Sequence, residues 1–182
     1  VLNLANGEQR AGPDLAELAQ YARDMKAVIQ RLSDKVGDPR VAEQAAVIGA
    51  LDPEAISTPD RAQEAAQAIA ARLARFESTA EEWQGEGFTD EGGQVGMRIV
   101  RVSNGYRSVY EIAPRLLRSQ EATHLNGAAE RLQRLFARPA VFLAKEKETH
   151  VHGPSSLAKA IQEEGRRGLS TQRYKGLGEM NP

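Results

Sequence analysis

An apolar stripe near the start of the chain constrains the fold more than any other sequence feature. Its seven members recur three or four residues apart and are Leu15, Leu18, Ala22, Met25, Ile29, Leu32 and Val36. Residues at this spacing lie on one side of an α-helix, so the stripe predicts an amphipathic helix of about six turns. Pro13-Asp14 is typical of a helix start, and Gly37 of a helix end.

Two shorter stripes predict two more helices. One helix follows Asp38-Pro39 and ends before Leu51. The other opens at Thr58-Pro59-Asp60, where Thr58 is an N-cap and Pro59 occupies the first helical position, and it runs to about Glu77. The stripes span only about three heptads, which is short for a coiled coil, so we expect a helical bundle over residues 1–77.

After residue 77 the pattern changes to strands. Asn104-Gly105 separates two alternating runs, Met97–Ser103 and Tyr106–Ile112, and this dipeptide is typical of a two-residue β-hairpin turn. We also expect a strand over Glu82–Phe88. The remaining expectations are a helix from about Gln120 to Phe136, a strand or loop over Pro139–His152, a helix capped by Ser155 and Ser156 that runs to about Gly165, and a strand over Leu169–Tyr174 before a Gly-rich turn. The predicted class is α+β, a helical bundle followed by a β-hairpin and a mixed α/β segment.

Composition excludes several classes of protein. The chain has 182 residues, of which 41% are hydrophobic and 27% charged, as in globular domains. It has no cysteine, which excludes disulfides and thiolate metal ligands. No apolar run reaches the ~18 residues of a membrane span and no signal peptide is visible, so we expect a cytoplasmic protein without a membrane partner. The chain begins at Val1 without a methionine and stops within a motif at Pro182, which suggests a piece of a longer protein.

The two halves of the chain differ in charge. Residues 1–97 carry 9 basic and 17 acidic side chains, whereas residues 98–182 carry 15 and 8. Such an asymmetry favours a polyanionic partner for the basic half, although acidic helices are also simply soluble.

The sequence lacks the parts of an active site. It has no Gly-x-x-x-x-Gly-Lys-Ser/Thr phosphate loop, no Gly-x-Gly-x-x-Gly after a strand and no Asp-x-Asp pair for magnesium. Glu148, His150 and His152 would share one face of a strand, but a solvated strand end explains them better than a zinc site. We therefore expect no catalytic residue, no metal site and no cofactor in this chain.

The last stretch of the chain combines cations with glycines. From Gly165 to Gly178 it has no acidic residue. Cationic side chains beside close-approach backbone suit a phosphate backbone, and the competing interpretation is a basic surface turn. The candidate DNA-binding residues are Arg166, Arg167, Arg173, Lys175, Gly176 and Gly178.

The order of residues here resembles a known family. Gln172-Arg-Tyr-Lys-Gly-Leu-Gly-Glu-Met-Asn-Pro182 is similar to the signature that closes the Toprim region of bacterial type IIA topoisomerase B subunits, and Arg166–Ser170 also resembles the gyrase form. Topoisomerase IV shares this motif. The preceding helix-rich stretch resembles an insert that many Gram-negative gyrase B subunits carry ahead of the motif and that topoisomerase IV lacks. The close resemblance covers about the last 17 residues.

The resemblance implies a piece of an enzyme whose reactive groups lie elsewhere. In the family the ATP site is in an upstream domain, the Mg²⁺-binding acidic triad is in the first part of Toprim, and the DNA-linking tyrosine is on the gyrase A subunit. The isolated chain should therefore be inactive, while the parent protein would introduce negative supercoils into DNA using ATP and Mg²⁺. Arg173 and Lys175 would sit close to DNA, and the final segment would form a Toprim-like strand and turn.

The resemblance also implies boundaries and partners. Residues 1–152 would be the insert, with a helical part (1–77) and a mixed part (78–152), and residues 153–182 the returning end of Toprim. The implied partners are DNA, the gyrase A subunit and the other gyrase B domains. Three alternatives remain open: a fragment of the topoisomerase IV B subunit, a helical protein-interaction module and an independent nucleic-acid-binding domain.

Overall fold

The computed structural model describes residues 1–4, 7–76 and 80–179, with side chains up to residue 166. These residues form seven helices and seven strands in two antiparallel sheets, which confirms the α+β class. The helices are α1 (Gly12–Val36), α2 (Pro39–Val47), α3 (Pro59–Phe76), α4 (Pro114–Leu117), α5 (Gln120–Gly127), α6 (Ala129–Phe136) and α7 (Pro154–Glu179). The strands are β1 (Leu2–Asn3), β2 (Gln9–Arg10), β3 (Glu81–Thr89), β4 (Val95–Ser103), β5 (Tyr106–Ile112), β6 (Ala140–Ala144) and β7 (Lys147–Val151). Within the described part of the chain, no helix is both long and apolar enough to cross a membrane.

The three N-terminal helices form where the apolar stripes predict them. The stripe of α1 is buried from Leu18 to Val36, and α1 ends at Gly37, whose φ of 107° is left-handed and whose N–H donates to the Ser33 carbonyl over 2.7 Å. The helix α2 packs against both α1 and α3. Thr58 caps α3 as predicted, because its Oγ1 accepts a hydrogen bond of 3.2 Å from the Arg61 N–H.

The predicted hairpin supplies the central strand β4 and the edge strand β5 of a three-stranded sheet in the order β3-β4-β5. Ser103 pairs with Tyr106, and the two turn residues Asn104 and Gly105 have φ of 52° and 80°, as a type I′ turn requires. Glu81–Thr89 pairs with β4 as a third strand, which confirms the strand expected there. The helix α3 lies directly on β3 and β4, so it covers this sheet as well as packing against α2.

A second, four-stranded sheet joins distant parts of the chain in the order β2-β1-β6-β7. Leu2 of β1 is fully buried and pairs with Phe142 of β6, while β6 and β7 form a hairpin that turns at Lys145 with φ of 56°. The segment Pro139–His152, expected as a strand or loop, is thus mainly two strands.

The single helix predicted from about Gln120 to Phe136 is wrong, because the chain forms two helices there. The break lies at Ala128, whose φ of −96° and ψ of 0° belong to a turn, and whose N–H bonds to the Leu125 carbonyl three residues back. Asn126 and Gly127 are weak helix formers. Leu125 of α5 and Leu132 of α6 are both fully buried.

The strand predicted over Leu169–Tyr174 and the Gly-rich turn after it are also wrong. The helix α7 begins at Pro154 and continues through Glu179, well past the expected end near Gly165. None of the described strands pairs with this segment. A strand needs a neighbour for its backbone N–H and C=O groups, whereas a helix satisfies them within itself. The helix α7 satisfies these groups without a neighbouring strand.

Candidate nucleic-acid interface and the junction that anchors it

A carboxylate from α2 holds the start of α7. Glu43 is 5% exposed, and its Oε2 accepts a hydrogen bond of 3.1 Å from the Ser155 N–H in the first turn of α7. A helix N-terminus carries unpaired N–H groups and a partial positive charge, so a carboxylate stabilises it. Glycine just before α7 leaves room for this carboxylate, because a Cβ atom at Gly153 would overlap the Glu43 carboxylate in its present position.

The neighbouring residue of α2 ties together three more segments. Gln44 is 2% exposed, and its Nε2 donates to the His152 carbonyl over 3.3 Å, just before α7. Its Oε1 accepts a bond of 2.7 Å from Nε of Arg72 in α3. The guanidinium of Arg72 also donates to the carbonyls of Phe136 and Ala137, both over 2.8 Å. Arg72 therefore closes the C-terminus of α6, where carbonyl groups lack helical partners.

Aromatic stacking reinforces these bonds. The guanidinium carbon of Arg72 lies 4.9 Å from the ring centre of Phe76. The His152 ring also stacks on the Phe76 ring, with 4.8 Å between the ring centres and 17° between the ring planes. Burial, together with the nearby charge of Arg75, lowers the pKa of Arg72, while Glu43 opposes that shift. We refer to Glu43, Gln44, Arg72, His152 and Ser155 as the α7 junction.

Ser156 completes the entry to α7 in a manner the sequence did not predict. Its hydroxyl accepts a bond of 3.1 Å from the His152 N–H and donates to the Gly153 carbonyl over 3.0 Å. The side chain thus fastens the turn before the helix. The expected capping role of Ser155 and Ser156 is replaced by the Glu43 carboxylate and this turn.

Beyond the α7 junction, the helix α7 packs on α1 and leads to the basic stretch. Leu157 and Ala158 are buried in the core, whereas Lys159 and Arg166 are exposed. Among the candidate DNA-binding residues, the structure therefore shows Arg166 in solvent. The side chains of the other candidates lie outside those that the structure describes; these residues are Arg167, Arg173, Lys175, Gly176 and Gly178.

Charged and polar side chains line a cleft beside the α7 junction. A cleft of about 420 Å³ beside the α7 junction is lined by Lys26 and Lys159 as well as by Glu43 and Gln44. Among the described residues, no three His, Asp or Glu side chains come together as metal ligands. His152 stacks on Phe76 while Glu148 and His150 are exposed, so the three residues of the alternative zinc site are not gathered.

Sequence reasoning missed the α7 junction. Its partners lie far apart in sequence, since 112 positions separate Glu43 from Ser155 and 28 separate Gln44 from Arg72. A usable signal was nevertheless present. Glu43-Gln44 interrupts the otherwise apolar run Val41-Ala42 and Ala45-Ala46-Val47, all of it buried. A polar pair inside a helix that is buried all round requires specific partners.

Comparison with known proteins places the chain in a family. The model of the DNA gyrase B subunit insert domain matches residues 5–164, which is most of the chain. The chain belongs to this family. The insert-domain match includes every residue of the α7 junction and ends just before Arg166.

Relatives of this insert domain agree with the match. Over 181 residues the chain is 38% identical to the DNA gyrase B subunit of Caulobacter vibrioides, and the match covers 100% of this chain and 21% of that protein. Over 85 residues it is 32% identical to the DNA gyrase B subunit of Rickettsia conorii, and that match covers 47% of this chain and 10% of that protein. The insert domain and its flanking residues thus span about a fifth of the length of the full-coverage relative.

Proposed function

We propose that this chain is the Toprim insert and the returning end of Toprim of a gyrase B subunit. The parent enzyme would be an ATP-dependent type IIA topoisomerase that, with the gyrase A subunit, introduces negative supercoils into DNA. Its ATP and Mg²⁺ sites would lie outside residues 1–182. Within the parent, residues 1–152 would form the insert and residues 153–182 would rejoin Toprim.

In this proposal the insert anchors the helix α7, and the basic C-terminal stretch contacts DNA. The α7 junction carries the argument, because buried groups of α2 and α3 hold the first turn of the helix that leads to the basic motif. Displacing that helix would break the Glu43–Ser155 and Gln44–His152 hydrogen bonds at two buried side chains, which is costly. The insert would therefore fix the direction in which the chain returns to the DNA-binding region.

Charge supports the second part of the proposal. The acidic half, residues 1–97, would be repelled by DNA, whereas the basic end would approach it. Arg166, Arg167, Arg173 and Lys175 would contact phosphates, and Gly176 and Gly178 would permit close backbone approach.

Charge removal in the parent protein tests the DNA contact. Arg173→Ala and Lys175→Ala should weaken DNA binding equally for different sequences and reduce the salt slope by about one phosphate contact each. Arg61→Ala is the matched control, since Arg61 is exposed on α3 in the acidic half. A salt dependence unchanged by both motif variants would refute the contact.

Loosening the α7 junction tests the brace. Glu43→Ala in the parent protein, assayed together with the gyrase A subunit, should impair supercoiling while ATP hydrolysis measured without DNA is unchanged. Glu163→Ala, which removes an exposed carboxylate from α7 itself, is the control. Full supercoiling by a folded Glu43→Ala enzyme would contradict the bracing role, and it would leave the DNA contact to be judged by its own experiment.

A further inference from the structure

The strand β5 is an edge of the three-stranded sheet and carries the exposed apolar side chains of that sheet. It pairs with β4 on one side, and the sheet ends there. Tyr106 is 79% exposed and Val109 is 45% exposed. Soluble proteins usually protect such an edge, because its backbone N–H and C=O groups can pair with another strand. The exposure of Tyr106 and Val109 therefore needs an explanation.

The hairpin turn determines which backbone groups of β5 face outward. Residues that flank a two-residue turn exchange both backbone hydrogen bonds, and bonded and non-bonded pairs then alternate along the ladder. Since Ser103 and Tyr106 flank the turn, Tyr106, Ser108 and Tyr110 direct their backbone groups to β4. Arg107, Val109 and Glu111 direct theirs to the open edge.

The order of side chains at Arg107, Val109 and Glu111 is complementary to the same three residues of a second strand that runs in the opposite direction. Arg107 is basic, Val109 is apolar and Glu111 is acidic, and all three side chains lie on the same face of the sheet. The guanidinium of Arg107 has no hydrogen-bond or ion-pair partner among the residues that the structure describes. Glu111 already binds Arg98 over 2.9 Å, which holds its carboxylate on that face.

We propose that β5 pairs antiparallel with β5 of a second copy of this chain, about a two-fold axis at Val109. Each outward-facing residue then meets an outward-facing residue, so the edge hydrogen bonds are formed. Val109 faces Val109, and Arg107 of each copy faces Glu111 of the other. The two sheets become one six-stranded sheet, and the interface is the same patch on both copies, as two-fold symmetry requires.

Charge selects this register over its neighbours. Centring the pair on Arg107 would place two guanidinium groups opposite each other, and centring it on Glu111 would do the same with two carboxylates. Directly opposed like charges are destabilising in antiparallel pairs, whereas opposed unlike charges are favourable. The chosen register also brings exposed Tyr106 opposite Ile112 at the far end of the other strand. Ile112 is fully buried within its own chain, so the register accounts for the exposure of Val109 but not for that of Tyr106.

The contact involves one short strand from each copy, so the dimer is weak. An interface built from one short strand of each copy belongs to the small, transient class of protein–protein interfaces. Dimer formation is measured directly by the sedimentation coefficient of the 182-residue chain. As the concentration rises from low micromolar to millimolar, we expect this coefficient to rise toward the value of a dimer. Amide hydrogen exchange supplies the register: at high concentration the amides of Arg107, Val109 and Glu111 should be protected, while those of Ser108 and Tyr110 should change little.

Charge-reversal variants test the register. Arg107→Glu places two carboxylates opposite each other twice in the dimer and should raise its dissociation constant by about tenfold or more. The double variant Arg107→Glu with Glu111→Arg restores two unlike pairs and should recover association. Val109→Lys, which puts two ammonium groups at the axis, should abolish it. Arg115→Glu is the control, because Arg115 is exposed on α4 and outside the edge.

Two results would overturn the proposal. One is a chain that stays monomeric at millimolar concentration. The other is association by Arg107→Glu and Val109→Lys as strong as in the unchanged chain, which would assign dimerisation to another surface. Circular dichroism of each variant checks folding, since Glu111→Arg also removes the bond to Arg98.

Discussion

The backbone of Gly85 in β3 lies against the backbone carbonyl of Ala66 in α3, so closely that a Cβ atom at Gly85 would overlap it. Gly87 lies two residues further along the same face of β3. A Cβ atom at Gly87 would come within 2.7 Å of the backbone nitrogen of Gln63. The Gly87 N–H donates to the Gln63 side chain over 2.7 Å. Helix and strand are thus in backbone contact, and the two glycines permit it.

We expect Gly85→Ala to destabilise the fold by about 3 kcal/mol, because the added methyl group forces α3 away from the sheet. Chemical denaturation measures the change. Gly127→Ala is the control, since no atom lies within 4 Å of a Cβ atom built there and its φ is not positive, and it should change stability by less than about 1 kcal/mol. Equal effects of the two substitutions would show that the close contact is unimportant.

Removing the charge of Glu43 should loosen the start of α7. Glu43→Gln keeps the volume but loses the favourable interaction with the helix N-terminus, at a cost of about 1–2 kcal/mol. The Ser155 amide, which donates to Glu43, should exchange faster with solvent. Glu163→Gln removes an equal charge from the exposed face of α7 and should leave both quantities nearly unchanged. Unaltered Ser155 exchange in Glu43→Gln would contradict the capping role.

Replacing the guanidinium of Arg72 by an amine should weaken the contact between α3 and α6. Arg72→Lys retains a positive charge but cannot bind Gln44, Phe136 and Ala137 together, so at least one buried group loses its partner. We expect a loss of about 1–3 kcal/mol in the free energy of unfolding. Arg61→Lys, an equal change at an exposed position of the same helix, should be close to neutral. A neutral Arg72→Lys would show that the three bonds contribute little.

Alkaline pH should destabilise the chain through Tyr21. Burial raises the pKa of Tyr21 above its usual value of about 10, although nearby Arg131 opposes the shift. The folded state therefore holds this proton more tightly than the unfolded state. The resulting stability is fully present below the unfolded pKa and is lost as pH rises through the folded pKa.

Tyr21→Phe tests this assignment. The Tyr21 hydroxyl is buried and has no hydrogen-bond partner among the residues that the structure describes, so its removal should cost little at neutral pH. Above about pH 10 the variant should lose stability less steeply than the unchanged chain. Tyr106→Phe, at a solvent-exposed tyrosine, is the control. Parallel stability curves for Tyr21→Phe and the unchanged chain would refute the prediction.

Local patterns predicted the local elements well. The stripe of α1, the Thr58 cap of α3 and the Asn104-Gly105 turn each depend on residues a few positions apart, and each forms as expected. The family followed from the order of residues at the C-terminus, and the match over residues 5–164 agrees with it. These features depend on spacing and residue order, which are properties of the sequence itself.

Long-range features were not predictable from the same patterns. The two glycines of β3 did not reveal that α3 would lie on them, and Glu43-Gln44 did not reveal its partners beyond residue 135. The turn at Ala128 interrupts a stripe that continues from α5 into α6. The stripe alone does not reveal that break, because residues seven apart share a face in a continuous helix as well.

By itself, the sequence determined the class of fold, the first helices, the hairpin, the charge asymmetry and the family, because each is encoded in neighbouring residues. The tertiary structure alone decided how α3 sits on the sheet, how α2 holds α7 and which strand edge stays open. Those outcomes depend on groups that are distant in sequence and meet only in the fold, where backbone packing and buried hydrogen bonds select one arrangement from many.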